Sequence, residues 1–94
     1  MSRSIWKFVL PVKDGDIIIN MPEHAILMEA REQHGKVCVW AVVKPAHPMV
    51  PHRFRIYGTG PFPEDMRHAD FLGAAHLLDG RLVWHVFDLG EVTS

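Results

Sequence analysis

Arg53, Arg55 and Tyr57 alternate along one short stretch that runs into Gly58-Thr59-Gly60. Two guanidiniums, a phenol and the open backbone N–H groups of a glycine turn make an anion-binding set. Arginine is a forked, permanently charged donor matched to phosphate oxygens. Tyr57 can stack on a base or hydrogen-bond a phosphate. The glycines allow close backbone approach, and Thr59 adds a hydroxyl. The glycine segment is not a Walker loop, because no Gly-Lys-Ser or Gly-Lys-Thr follows. Nor is it a dinucleotide fingerprint, because the spacing differs and Pro61 opposes a helix. The plainer alternative is a glycine turn that ends a strand whose arginines are simply solvated. Trp40 and His85 are further candidates for base stacking, from neighbouring strands or from a second subunit. Trp40 keeps company with Glu29, Arg31 and Cys38, a setting typical of an interface or ligand residue. Equally, its ring can cover Arg31 by cation–π contact.

The sequence contains no positive sign of catalysis. Seven histidines is a high count for 94 residues. A zinc site, however, needs ligands at recurring spacing, and there is neither an HExxH nor a CxxC. Cys38 lies in an aliphatic run, where a buried structural thiol is the common case. The carboxylates are scattered, and no pair is fixed by a motif. No catalytic residue, metal or cofactor is expected.

Alternation dominates the elements that must position these residues. Ile5 to Val12 reads as a strand with Trp6, Phe8 and Leu10 on one face. Asp14-Gly15-Asp16 is a turn, followed by the short run Ile17-Ile18-Ile19, which Asn20-Met21-Pro22 breaks. Ala25–Glu32 and Lys36–Val43 form a hairpin around His34-Gly35. With a two-residue loop, Ile26, Met28, Ala30, Val39, Ala41 and Val43 share the core face; a one-residue bulge would swap some of them. The prolines of Lys44 to Pro51 predict an exposed loop, since proline cannot donate to a ladder. His52 to Tyr57 is a strand, and residues 63–66 suit a single helical turn. Phe71–Leu78 and Arg81–Leu89 form the clearest hairpin. Asp79-Gly80 is its type I′ turn, and Trp84 and Val86 lie opposite the small Ala75 and Gly73. The expected fold is mainly β: one domain over 1–94, a compact antiparallel sheet or sandwich of about six short strands with at most one short helical turn. The Phe71–Leu89 hairpin is placed at its centre.

Hydrophobic residues make up 48% of the chain, enough for a globular core and too many for a disordered segment. At this length only about 60–65% of the unfolded chain's surface is buried on folding, so the core is thin. A homo-oligomer, a dimer or higher, is expected to bury more. The net charge of −1 lacks the basic surplus that generic nucleic-acid binding requires. The longest apolar run, Val37 to Val43, falls short of the roughly 20 residues that span a bilayer. The N-terminal residues lack a signal peptide's apolar stretch, and a lone cysteine suits a reducing compartment.

Five segments carry a resemblance that covers nearly the whole chain. They are Ile5-Trp6-Lys7-Phe8, Met21-Pro22, Trp40-Ala41-Val42-Val43, Phe54-Arg55-Ile56-Tyr57-Gly58-Thr59-Gly60 and Trp84-His85-Val86-Phe87. In them the chain resembles an uncharacterised family of small proteins encoded by bacteriophages and prophages. The resemblance implies a phage origin and the host bacterial cytoplasm, and it transfers no catalytic residue. Small non-enzymatic phage proteins are often virion accessories, regulators or inhibitors of host defence. By that analogy of type, the expected function is non-enzymatic ligand binding: an anti-defence sponge for a nucleotide-derived signal. The alternatives are a protein-binding inhibitor of a host defence complex and a virion accessory protein.

Overall fold

The computed structural model of the chain describes residues 2–92. Seven strands appear among them: β1 (Ser4–Leu10), β2 (Ile17–Pro22), β3 (Ile26–Gln33), β4 (Lys36–Val43), β5 (Met49–Tyr57), β6 (Asp70–Leu77) and β7 (Leu82–Glu91). One 3-10 turn, Glu64–Met66, follows Pro63, where a single helical turn was expected. All pairings are antiparallel. They build a three-stranded sheet ordered β1-β4-β3 and a four-stranded sheet ordered β2-β5-β7-β6.

Alternation decides what goes inside. Leu10, Val37, Val39 and Ala30 from one sheet meet Ile17, Met21, Phe54, Ile56, Ala75 and Val86 from the other, and all are buried. Phe8, Leu72, Leu77 and Trp84 pack around them. The molecule measures 17 Å along its shortest axis. That is room for two sheets about 10 Å apart and no third layer. No third sheet or helical layer covers the outer faces among the described residues; the 58–69 segment lies against part of the four-stranded one, where Phe62 meets Tyr57 and Phe87.

The His34-Gly35 turn has the expected chemistry: both residues take positive φ, as a type I′ turn requires. At Asp79-Gly80 the run of positive φ starts one residue earlier, at Leu78, and the strands stop at Leu77 and Leu82. Trp84 pairs with Ala75 and Val86 with Gly73, as the Asp79-Gly80 register demands. The reason for Gly73 differs from making room for a partner side chain. A Cβ there would come within 2.5 Å of the Ala30 carbonyl oxygen, so Gly73 lets β6 press against β3 of the other sheet.

Four expectations need correction. A bulge between Leu27 and Glu29 moves Ile26 and Met28 off the core face. They are 56% and 50% exposed, and Leu27 packs on the core instead. The Phe71–Leu89 hairpin is not central: β7 lies inside the sheet, but β6 is its edge. Asn20-Met21-Pro22 does not break the Ile17 run, because β2 continues to Pro22 along β5. The Lys44–Pro51 loop ends early, with β5 starting at Met49. Pro51 is tolerated because it lies beyond the last β5–β7 partner pair, His52 with Glu91, and its carbonyl still accepts the Val92 N–H at 2.9 Å.

His52 is the one buried polar side chain among the described residues, 3% exposed. Its Nε2–H donates to Asp88 Oδ1 at 2.6 Å, and its ring stacks on Phe54 at 4.9 Å. The Gly90 N–H donates to the same carboxylate oxygen at 2.8 Å. A bulge between Arg53 and Phe54 in the β5–β7 ladder sets Asp88 opposite Phe54, on the inward face where His52 can reach it. The pair is a polar clip inside the sandwich, fully engaged with its own chain apart from an unpartnered Nδ1.

Candidate functional site

Strand β5 sends Phe54 and Ile56 inward, and the same alternation sets Arg53, Arg55 and Tyr57 on the outer face of the four-stranded sheet. Arg55 Nε donates to Asp16 Oδ1 at 2.7 Å, and its Nη1 donates to the Tyr57 hydroxyl oxygen at 3.3 Å. Arg53 Nε lies 3.3 Å from the other Asp16 oxygen, with its N–H poorly aimed at it. The hydrogen bond from Arg55 holds the Asp16 carboxyl below the usual carboxylate range. The hydrogen bonds to Tyr57 and Asp16 bias Arg55 still further toward its charged form. Of the five guanidinium donors of Arg55, at least two are thus committed and the rest can meet a ligand.

Around Tyr57 lies an aromatic patch that the sequence reading did not assemble. Tyr57 meets Phe62 edge-on at 5.4 Å and Phe87 at 6.0 Å. Phe87 sits 5.1 Å from Phe62 and 5.4 Å from Phe71. Phe71 in turn is 6.3 Å from the His85 ring. Phe62 and Phe71 are 45% and 58% exposed. Phe71 reaches this face because the β6–β7 ladder shifts register between Phe71 and Gly73, which pairs Phe71 with Phe87. A pair sum of 159 held throughout would have put it opposite Asp88. Asp16, read as a turn residue, gave no sign that it would serve Arg55, which is 39 positions away.

The glycine segment follows Tyr57 directly. Thr59 Oγ1 lies 3.1 Å from His85 Nε2 and ties the turn to β7. Tyr57 and His85 are register partners. Gly58 lies over Trp84, whose ring is 3.5 Å from where a Cβ would stand. Gly60 has φ of +145°, a conformation that favours glycine.

The fold therefore brings together Arg53, Arg55, Tyr57, Gly58, Thr59, Gly60 and His85. It does not bring Trp40 to them. Trp40 lies in the middle strand of the other sheet, between the inward Val39 and Ala41, on the opposite outer surface. The two arginines also differ in their surroundings. Arg53 borders a cavity of about 340 Å³ whose wall includes Asp65, Asp70 and Asp88, so an anion there would meet three carboxylates. Arg55 borders the aromatic patch through Tyr57. No group of three or more His, Cys, Asp or Glu side chains among the described residues could hold a metal ion. No helix among the described residues is long and apolar enough to cross a membrane.

No curated protein and no solved structure matches the chain. Residues 1–93 match a family described as Domain of unknown function (DUF7352), a span that takes in both sheets and the whole Arg55–Tyr57 face. The chain belongs to that family.

Proposed function

We propose that this chain is a non-enzymatic binding protein that captures a planar, phosphate-bearing ligand on the outer face of its four-stranded sheet. The observation that carries this reading is Arg55, charged and only partly engaged, at the edge of a cluster of half-buried Tyr57 and Phe87 with exposed Phe62 and Phe71. A base or other flat ring stacks on an aromatic face, and a phosphate meets the guanidinium. Nucleotide-derived molecules combine these two features. The resemblance to phage and prophage proteins adds the setting: a phage protein in the host bacterial cytoplasm, acting as a sponge for a nucleotide-derived defence signal.

A panel of nucleotides tests it, with each ligand recovered after the protein is denatured. Intact ligand means capture, and altered ligand means an enzyme. In a folded Arg55→Ala variant the affinity should fall about 10- to 150-fold, the worth of one charge-assisted contact. Unchanged affinity in both Arg53→Ala and Arg55→Ala would remove the site.

A second reading, an inhibitor or virion accessory that binds a protein, is favoured by the outer face of the three-stranded sheet. Ile5, Val9, Ile26 and Met28 are all 46% exposed or more there, beside Trp40. That reading predicts no ligand from the panel and a stable complex with one host or phage protein.

A further inference from the structure

A separate cationic cleft of about 260 Å³ opens at the end of the sandwich where β1 begins and β4 finishes. Arg3, Lys44, His24 and His47 line it over a floor that includes Ile26 and Val42. The fold assembles these residues from three places. Ser4 pairs with Val43, so Arg3 and Lys44, the residues just outside that pair, emerge side by side. His24 comes from the turn between β2 and β3. Its φ of 65° is uncommon for a residue with a side chain, and its backbone N–H is held by the Glu91 carboxylate. His47 comes from the turn between β4 and β5. Its Nδ1–H donates to the Glu23 carbonyl at 2.9 Å, which leaves Nε2 as the nitrogen available to a ligand. The two imidazoles meet edge to face at 5.9 Å.

The charge balance separates this cleft from the Arg55 face. Arg53 and Arg55 share Asp16, whereas neither Arg3 nor Lys44 forms an ion pair among the described residues. The nearby acids are occupied at the rim: Glu23 lies 3.8 Å from His24, and Glu91 accepts the His24 N–H. Among the described residues Arg3 and Lys44 thus face a common space with no carboxylate in ion-pair range of either, while the Glu23 and Glu91 carboxylates keep their charge on the His24 side. The floor is apolar and continues outward, because Ile26, Val42 and Ile5 form one row across the three-stranded sheet, with Ile5 61% exposed. Solvated strand-end lysines and arginines are common. Here they line a cavity with two imidazoles and an apolar floor, as an anion with an apolar body requires.

We propose that this cleft binds a phosphate monoester that carries an apolar substituent, the phosphate between Arg3 and Lys44 and the substituent along Ile26, Val42 and Ile5. The site is independent of the Arg55 face and stands or falls separately from it. The same chemistry is offered by a free ester and by a lipid headgroup. Hexyl phosphate represents the first and vesicles containing phosphatidic acid the second, with inorganic phosphate as the reference. The full chain, labelled with 15N, is titrated at low ionic strength, where screening is weakest. Hexyl phosphate should give saturable shifts at Arg3, His24, Lys44 and His47, and also at Ile5 and Ile26, where inorganic phosphate should not. Lys44→Gln should weaken binding about tenfold, Lys44→Arg should restore it, and Arg55→Gln should leave it unchanged. Saturable binding of hexyl phosphate or of the vesicles, lost in Lys44→Gln, supports the proposal and identifies the source. Shifts centred on Arg53 and Arg55, equal losses in Lys44→Gln and Arg55→Gln, or no saturation by either probe in the millimolar range would overturn it.

Discussion

Asp16 is the residue on which the Arg55 face turns. Its carboxylate takes the Arg55 Nε–H and offsets the charge of both guanidiniums, so it works against an incoming anion there. Asp16→Asn should therefore tighten anion binding on this face and cost stability at neutral pH. The hydrogen bond from Arg55, aided by the charges of Arg55, Arg53 and Lys13, depresses the Asp16 carboxyl below its ordinary value of 3.8. A depressed folded value means stability that is present above 3.8 and lost as pH falls through the folded value. The carboxylate is 36% exposed, so solvent screens the pair and the contribution is modest. Urea midpoints of wild type and Asp16→Asn should thus differ at pH 7 and converge in acid below 3.8. A difference that persisted or grew in strong acid would show that the Arg55–Asp16 pair is not its source.

The meeting of β3 and β6 is what locks one sheet to the other along this side. Gly73 is doubly constrained there. A Cβ would stand 2.5 Å from the Ala30 carbonyl oxygen, and the φ of +145° disfavours any side chain. Backbone cannot swing aside as a flexible side chain can. Gly73→Ala should therefore cost about 3 kcal/mol, combining overpacking with backbone strain. Gly35→Ala is the control: φ is +78° but no atom lies within 4 Å, so only the conformational penalty applies, about 1–2 kcal/mol. Chemical denaturation of the two variants checks the order. Equal losses would mean that the β3–β6 approach is not tight. Bulges act at this same scale. The one at Met28 turns Ile26 and Met28 outward, and the one at Leu72 turns Phe71 outward, so two local irregularities add three large apolar side chains to the exposed surface.

As a whole, the described residues form a two-layer slab, open on the outer face of the three-stranded sheet and partly covered by the 58–69 segment on the other. The three-stranded face carries Ile5, Val9, Ile26, Met28 and Trp40, interrupted by the Glu29–Arg31 pair at 3.4 Å and by Lys7, which donates to Gln33. Both signs of charge around an apolar centre make the face complementary to itself under a two-fold axis, the commonest symmetry of small oligomers. We therefore expect a homodimer through the Val9, Met28 and Trp40 part of this face, which would leave open the Arg55 face of each copy and the Ile5–Val42–Ile26 row. Light scattering should give twice the 10.7 kDa chain mass at micromolar concentration, and Met28→Glu should return it to one chain. A wild-type chain that scatters as a monomer would rule the dimer out.

Local chemistry made much of this legible in the order of residues. Period-two alternation identifies the strands, and His34-Gly35 and Asp79-Gly80 set two hairpin turns and their registers, because side-chain direction and positive φ are properties of neighbouring residues. The same alternation placed Arg53, Arg55 and Tyr57 on one face, with Gly58-Thr59-Gly60 beyond them. What needed the tertiary structure was whatever depends on distant chain segments. No local signal says that Asp16 will lie under Arg55, or that Phe62 and Phe71 will gather around Phe87. None says that Arg3, His24, Lys44 and His47 will share a cleft, or that Trp40 will face away from the Arg55 site. A bulge shifts register by one residue and reverses a face, and where it falls is decided by how two sheets pack, as with Gly73 against Ala30.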